Sequence, residues 1–155
     1  LPGVVLDDYY LEHIVLCLSD GLLAQCGIDL DTHRGEIAAG NLSALRGCPF
    51  VLGSAEDIGG RIGRGLLRSS GVSPVSKATS ENVETLLALC EQGVGACFCP
   101  ENLLHTALSP AQLAHLHILP LCPEASYPIC FGYLSRSYPW SVLSEFIRIA
   151  REQTA

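Results

Sequence analysis

The sequence predicts an α/β fold: a mixed, mostly parallel sheet flanked by helices. Three observations predict it. Short apolar segments alternate along the chain with segments whose apolar residues recur at helical spacing. The stretch 81–100, ENVETLLALCEQGVGACFCP, passes from a helix pattern through Gly93-Val94-Gly95 straight into an apolar run and stops at Pro100. Of the 155 residues, 48% are apolar and only 16% charged, which suits one domain with a sizeable core.

In chain order, residues 4–6 and 13–18 read as extended, separated by the polar pair Asp7-Asp8. Residues 19–41, punctuated by Gly21, Gly27, Gly35 and Gly40, read as a loop excursion. A short helical turn over 42–47 delivers a strand at 49–52. The helix predicted over 57–69 carries Ile58, Ile62, Leu66 and Ser69 along one stripe, with Arg61, Arg64 and Arg68 off it. A strand over 75–79 precedes the helix 81–92, in which Val83, Leu86, Leu87 and Cys90 face a core. Gly93 is free to take the left-handed conformation that ends such a helix. A strand at 96–99 follows, then short helices over 100–104 and 110–116. Residues 118–121 and 129–133 are extended. A helix from Trp140 to Glu152, apolar at Val142, Leu143, Phe146, Ile147 and Ala150, closes the chain.

Composition narrows the function. A formal charge of -7 argues against this segment gripping nucleic acid, which needs clustered Lys and Arg. No apolar run approaches the roughly 18 to 20 residues that span a bilayer. Six of the eight cysteines, Cys17, Cys48, Cys90, Cys97, Cys99 and Cys130, lie in or beside apolar runs, where cysteine acts as a small buried hydrophobe. Free thiols in a reducing cytoplasm are therefore expected, not a secreted disulfide scaffold. Cys97 and Cys99, with Cys90 nearby, also invite a zinc reading. A one-residue gap in a strand puts both thiols on one face, toward a core, whereas zinc pairs usually stand two to four residues apart. No metal and no cofactor are expected.

Helix, G-x-G, apolar strand and Pro-Glu, in that order, resemble the effector-binding domain of LysR-type transcriptional regulators. The resemblance extends to Leu45-Arg46-Gly47-Cys48-Pro49-Phe50-Val51-Leu52-Gly53, similar to that family's L-x-x-x-P-F-I-L strand entry, and to Ser69-Ser70-Gly71-Val72-Ser73-Pro74, similar to its G-x-x-P exit. Leu119-Pro120-Leu121 and the segment 129–133 match its closing elements. Nearly the whole chain is covered, although each motif is loose and mostly describes packing. The resemblance implies a type II periplasmic-binding-protein-like lobe. The second lobe would span about 5–125, and the strand and helix over about 126–155 would return to a first lobe. It also implies that the family's winged helix-turn-helix and the first lobe's opening elements belong before Leu1, so that DNA is reached only through that absent domain. A small-molecule effector, a homodimer or homotetramer, a cytoplasmic location and no membrane partner are what the family would bring.

Five residues are candidates for the effector site: Ser54, Asp57, Ser80, Gly95 and Tyr133. Ser54 and Asp57 belong to the loop that leads from a strand into a helix N-terminus, where free N–H groups and the helix dipole favour anions. Glu56 and Asp57 already offer acceptors there, so a neutral or cationic effector fits as readily as an anionic one. The plainer reading makes Ser54 or Asp57 an N-cap, and the same applies to Ser80 before the next helix. Gly95 either lets a ligand approach the backbone or serves helix-to-strand packing. Tyr133 and Trp140 are placed to line a crevice, Trp140 being more often a core anchor.

Other motifs carry less. The run 59–65, GGRIGRG, lacks the G-x-G-x-x-G order and a terminal Lys-Ser/Thr, so it is not a phosphate loop. Four helical glycines cost about 3 to 4 kcal/mol in propensity, which close packing against the sheet or another protomer must offset. His105, His115 and His117 do not share a helical metal face. No G-x-S-x-G elbow is present, and no nucleophile stands beside a His-Asp pair. An enzyme is not expected. Two rival classes use the same scaffold: a transporter's solute-binding protein, which would favour paired cysteines, and a small α/β enzyme, which would need a perturbed acid or base in a cleft.

Overall fold

The computed structural model describes residues 3–135 and 141–153. The chain divides into two compact units, one of Leu1–Glu12 with Tyr127–Ala155 and one of His13–Ser126. Strand β1 (Val4–Ser19) runs through both, where two separate extended segments were expected. The acidic pair does not break it. Arg151 pairs with Asp7 and donates to the Asp8 carbonyl at 3.0 Å, so contacts from the far end of the chain hold the strand together.

Within His13–Ser126, residues Ile14 to Leu18 of β1 are buried throughout, the continuous apolar run of a strand covered on both faces. This half pairs antiparallel with β4 (Cys97–Pro100) and β5 (Leu116–Pro120), in registers that include Val15↔Cys99 and Cys17↔Ile118. Strands β2 (Pro49–Gly53) and β3 (Val75–Ser80) pair parallel, and Phe50 bridges Ala96 in the same sense. The sheet is mixed, as predicted. Its parallel share is smaller than the alternation of strands and helices implies, because the long β1 lies antiparallel to both its neighbours in this unit.

Residues 19–41 are a correction. Helices α1 (Asp20–Cys26) and α2 (Leu30–Ala38) occupy what was read as a loop. Their caps were in plain view: Ser19 accepts from Leu22 N–H, Gly27 takes φ +64°, and Asp29 accepts from Asp31 N–H. Glycines inside the segment masked two short helices bounded by good punctuation.

Helix α3 (Ile58–Ser69) also turns differently from its hydrophobic pattern. Its buried residues are Gly59, Gly60, Gly63 and Leu67, while Ser69 is exposed and Ile58 is 38% exposed. Glycine barely registers on a hydrophobic scale, yet a face without side chains approaches a sheet most closely. A Cβ on Gly60 would collide with the Ser54 carbonyl oxygen, and one on Gly63 with the Phe98 ring, which itself stacks on Phe50 at 6.0 Å. Packing against the chain's own sheet therefore explains both glycines. Gly65 faces open space. Gly65→Ala is expected to stabilise the fold by up to about 1 kcal/mol through helix propensity, read as a higher urea midpoint.

Helix α4 (Val83–Glu91) buries Leu86, Leu87 and Cys90, as its spacing predicts, and Gly93 ends it at φ +76°. These side chains join Val15, Cys17, Val51, Cys97, Cys99 and Leu104 in one core. Two short helices, α5 (Leu104–Ala107) and α6 (Pro110–Leu113), lead to β5, the second closed by a Ser109–Gln112 capping box.

In the other unit, β6 (Ser126–Leu134) pairs with β1. Tyr9 donates from its hydroxyl to the Ala150 carbonyl of α7 (Ser141–Glu152) at 3.0 Å, and Phe131 packs between Tyr9 and Phe146. Trp140 lies outside the described residues.

Candidate ligand-binding site

The parallel pair β2–β3 sets the site. Its register ends in Gly53↔Ser80, so the loops that follow the two strands emerge side by side and lead into the N-termini of α3 and α4. Ligands of open α/β sheets gather at such strand ends.

Each candidate can be located. Ser54 accepts from Glu56 N–H at 3.3 Å through its Oγ, so it shapes the loop and is not the cap. Asp57 is the N-cap of α3, its Oδ2 accepting from Gly60 N–H at 2.9 Å. Ser80 Oγ accepts from Asn82 N–H at 3.1 Å. The cap of α4 is Asn82, which accepts from Thr85 N–H at 2.9 Å, and not Ser80. An Asn three residues ahead of the Thr was the available signal. Ser54 and Ser80 thus flank the same end of the parallel pair.

Gly95 lies elsewhere. A Cβ there would sit 2.8 Å from the Phe50 carbonyl carbon and 2.9 Å from the Pro49 oxygen, at the opposite end of β2. Close backbone packing accounts for it. Tyr133 belongs to β6, in the unit of Leu1–Glu12 and Tyr127–Ala155, and is half-buried.

One residue outside the candidate set shapes this end. Arg64 Nη2 donates to the Gly53 carbonyl at 2.7 Å, pinning the residue that precedes Ser54. Nothing in the local sequence signals this, because the contact joins the second turn of a helix to the strand before it. The carboxylates Glu56, Asp57, Glu81 and Glu84 make this end of the unit acidic in sequence.

The cysteines are free thiols. Cys17, Cys90, Cys97 and Cys99 are buried together, with Cys17 Sγ 3.6 Å from Cys99 Sγ and the Cys90 thiol donating to the Cys17 carbonyl at 3.2 Å. Cys130 departs from the expectation of a buried hydrophobe: it is half-buried and donates to Asp8 at 3.1 Å. Hydrogen bonding with Cys17, then with Cys90 and Cys99, pushes the Cys97 thiol well up, and burial adds to it. Among the described residues no group of three potential ligands could hold a metal ion. His115 Nδ1 lies 4.0 Å and His117 Nε2 2.7 Å from the Asp20 carboxylate, a polar cluster at the surface.

A mixed sheet whose parallel strands end in paired helix-starting loops defines an α/β binding domain. The chain belongs to the LysR substrate binding domain family, whose model matches residues 2–155. Solved structures of low identity share the fold. The regulatory domain of CcmR from Synechocystis PCC6803, in complex with 2-PG, aligns at TM-score 0.70 and 12% identity, over 98% of this chain and 67% of that one. The effector binding domain of QuiR, in complex with shikimate, aligns at 0.65 and 12%, over 98% and 66%. Full-length CbnR, in complex with its target DNA, aligns at 0.58 and 18%, over 98% and 49%. The chain therefore spans about half to two thirds of the length of these proteins. No curated protein matches it. Among the described residues no helix is long and apolar enough to cross a membrane.

Proposed function

We propose that this chain is the ligand-sensing part of a cytoplasmic LysR-type transcriptional regulator, and not an enzyme. A small molecule binds at the loops after β2 and β3, and its binding is coupled to DNA recognition by a helix-turn-helix outside this chain, in a homodimer or homotetramer. The observation that carries the reading is the Gly53↔Ser80 register, which supports a shared ligand position for Ser54 and Ser80. Ser54 and Ser80 offer hydroxyls, while Asp57 holds the start of α3 in place. Gly95 acts by packing. With acidic residues around these loops, a neutral or cationic ligand fits as readily as an anionic one. The ligands named for QuiR and CcmR, shikimate and 2-PG, support small polar molecules as the class to screen. Eight free thiols fit a reducing compartment.

The second unit supports the two-lobed reading in another way. Among the described residues, seven of the ten exposed large hydrophobic residues, including Leu6, Leu134, Val142 and Phe146, fall in Leu1–Glu12 and Tyr127–Ala155. Exposed apolar groups gathered in one small unit fit burial against further parts of the full protein.

Thermal-shift screening of small hydroxylated acids and amines tests the proposal. A true effector near 100 times its Kd stabilises by about 2.7 kcal/mol and raises Tm by roughly 5 to 10 °C. The shift should fall away in the Ser54→Ala, Ser80→Ala double variant. A hit that stabilises wild type and double variant equally would place the ligand elsewhere.

A further inference from the structure

Two thiols meet where α1 ends and β2 begins. Cys26 is the last residue of α1, and Gly27, at φ +64°, turns the chain just after it. Cys48 directly precedes β2, and its N–H donates to the Leu45 carbonyl at 3.0 Å. The two cysteines are 22 positions apart in sequence, yet the Cys26 thiol donates to Cys48 Sγ at 3.2 Å. A disulfide bond is about 2.0 Å long, so bonding asks the two sulfurs to close by roughly 1 Å.

Access separates this pair from the other thiols. Cys26 is half-buried and open to a small reagent, whereas Cys48 is only 2% exposed. Cys17 and Cys99 also lie close, at 3.6 Å, but both are fully buried. Cys122 and Cys130 are half-buried, and the side chains they hydrogen-bond are the Glu124 and Asp8 carboxylates. Among the described residues, direct sulfur contact and a reachable sulfur coincide at Cys26 and Cys48.

The two ends also differ in how far they yield. Cys48 is fixed at a strand entry, since the next residue, Pro49, accepts from Ala96 N–H at 2.9 Å. Cys26 ends a seven-residue helix that is anchored at its other end by the Ser19 cap and buried Leu22. Cys26 therefore supplies the movement. Burial first, and then the hydrogen bond with Cys26, holds the Cys48 thiol well above its ordinary value, so it keeps its proton at neutral pH.

We propose that Cys26 and Cys48 form a reversible disulfide site oxidised by a low-molecular-weight disulfide, Cys26 attacking first and Cys48 resolving. The Cys26 thiolate attacks one sulfur of the reagent, whose S–S bond breaks, and the departing thiolate takes up the proton that Cys26 gave to water. A mixed disulfide is left on Cys26. Cys48 Sγ then attacks the Cys26 sulfur, and its proton goes to the second departing thiolate. The protein loses two electrons and two protons, and the reagent leaves as two thiols. The new bond closes residues 26–48 into a loop around α2 and ties α1 to the strand whose far end is Gly53. The site rests on this contact and not on the ligand-sensing role.

The test uses the 155-residue chain, freed of reductant and treated with oxidised glutathione at about pH 8, where an ordinary thiol is partly ionised. After the remaining thiols are alkylated, tryptic cleavage at Arg34, Arg46 and Arg61 should leave peptide 1–34 joined to peptide 47–61. Fragmentation should place the bond on Cys26 and not on Cys17, which shares its peptide. The link should disappear with dithiothreitol and should not form in Cys26→Ser. In Cys48→Ala the reaction should stop halfway, with glutathione retained on Cys26. The oxidised chain should unfold at a higher urea concentration than the reduced one, because the closed loop restricts its unfolded state. Stable glutathione on Cys26 in the wild type, an undiminished link in Cys26→Ser, or an oxidised chain that unfolds earlier would overturn the proposal.

Discussion

Gly60→Ala is expected to destabilise the protein by about 3 kcal/mol or more, one of the largest losses available from adding a single methyl group. The new Cβ would overlap the Ser54 carbonyl oxygen and come within 3.0 Å of the Gly53 carbonyl carbon. Both are backbone atoms in a loop whose geometry is held by the Asp57 cap and the Arg64 contact, so neither yields without moving α3. Gly63→Ala should cost less, because it meets the ring of Phe98, a side chain and not backbone, although that ring is buried and stacked on Phe50. Gly65→Ala should cost nothing. Urea unfolding of the three variants checks the order Gly60, Gly63, Gly65. Equal midpoints for the first and the last would refute the close helix-to-sheet approach that shapes the loop after β2.

Alkaline pH is expected to unfold the protein through its buried thiols. Hydrogen bonds with neighbouring cysteines raise Cys97 well above its ordinary value. For Cys17 the contact with Cys97 pulls downward, but the Cys99 contact and burial outweigh it and the net shift is upward. Burial first, and then hydrogen bonding with Cys26, pushes Cys48 up strongly. A thiol whose folded pKa exceeds its unfolded value keeps its proton in the native state after the unfolded chain has lost it. The stability it contributes is complete below the unfolded pKa, near 8.5 to 9, and is lost as pH rises toward the folded pKa. Each such thiol should lower the unfolding free energy by about 1.4 kcal/mol per pH unit in that window. Urea midpoints under reductant at pH 7, 9 and 10 measure the slope, and the Cys17→Ala, Cys97→Ala double variant should flatten it. A slope unchanged in that variant would mean that other groups drive the alkaline loss.

The candidate site was partly legible. The loop at Ser54 and the loop at Ser80 were both marked by strand-to-helix transitions. Which residue caps each helix was only half readable: Asp57 was weighed as a cap and is one, whereas Asn82 takes the role considered for Ser80. Gly95 looked equally suited to ligand approach and to packing, and only its distance from the Phe50 backbone separates the two. Arg64 was read as lying off the helix's apolar stripe, and its hold on Gly53 could not be read from any local pattern.

Local order determined much of this protein. The helical spacing of Val83, Leu86, Leu87 and Cys90, the Gly93 stop and the apolar run into Pro100 specify helix, turn and buried strand without help from distant residues. The family likeness rests on the same local signals. Tertiary structure alone decided which face of α3 turns inward, why β1 continues through Asp7-Asp8, and that Ser54 and Ser80 end side by side. The physical reason is common to all three: each depends on atoms that chain folding brings from elsewhere, a sheet surface, Arg151 or a parallel neighbour. Hydrophobic periodicity records what a residue avoids, namely water, but not which partner it meets or how closely.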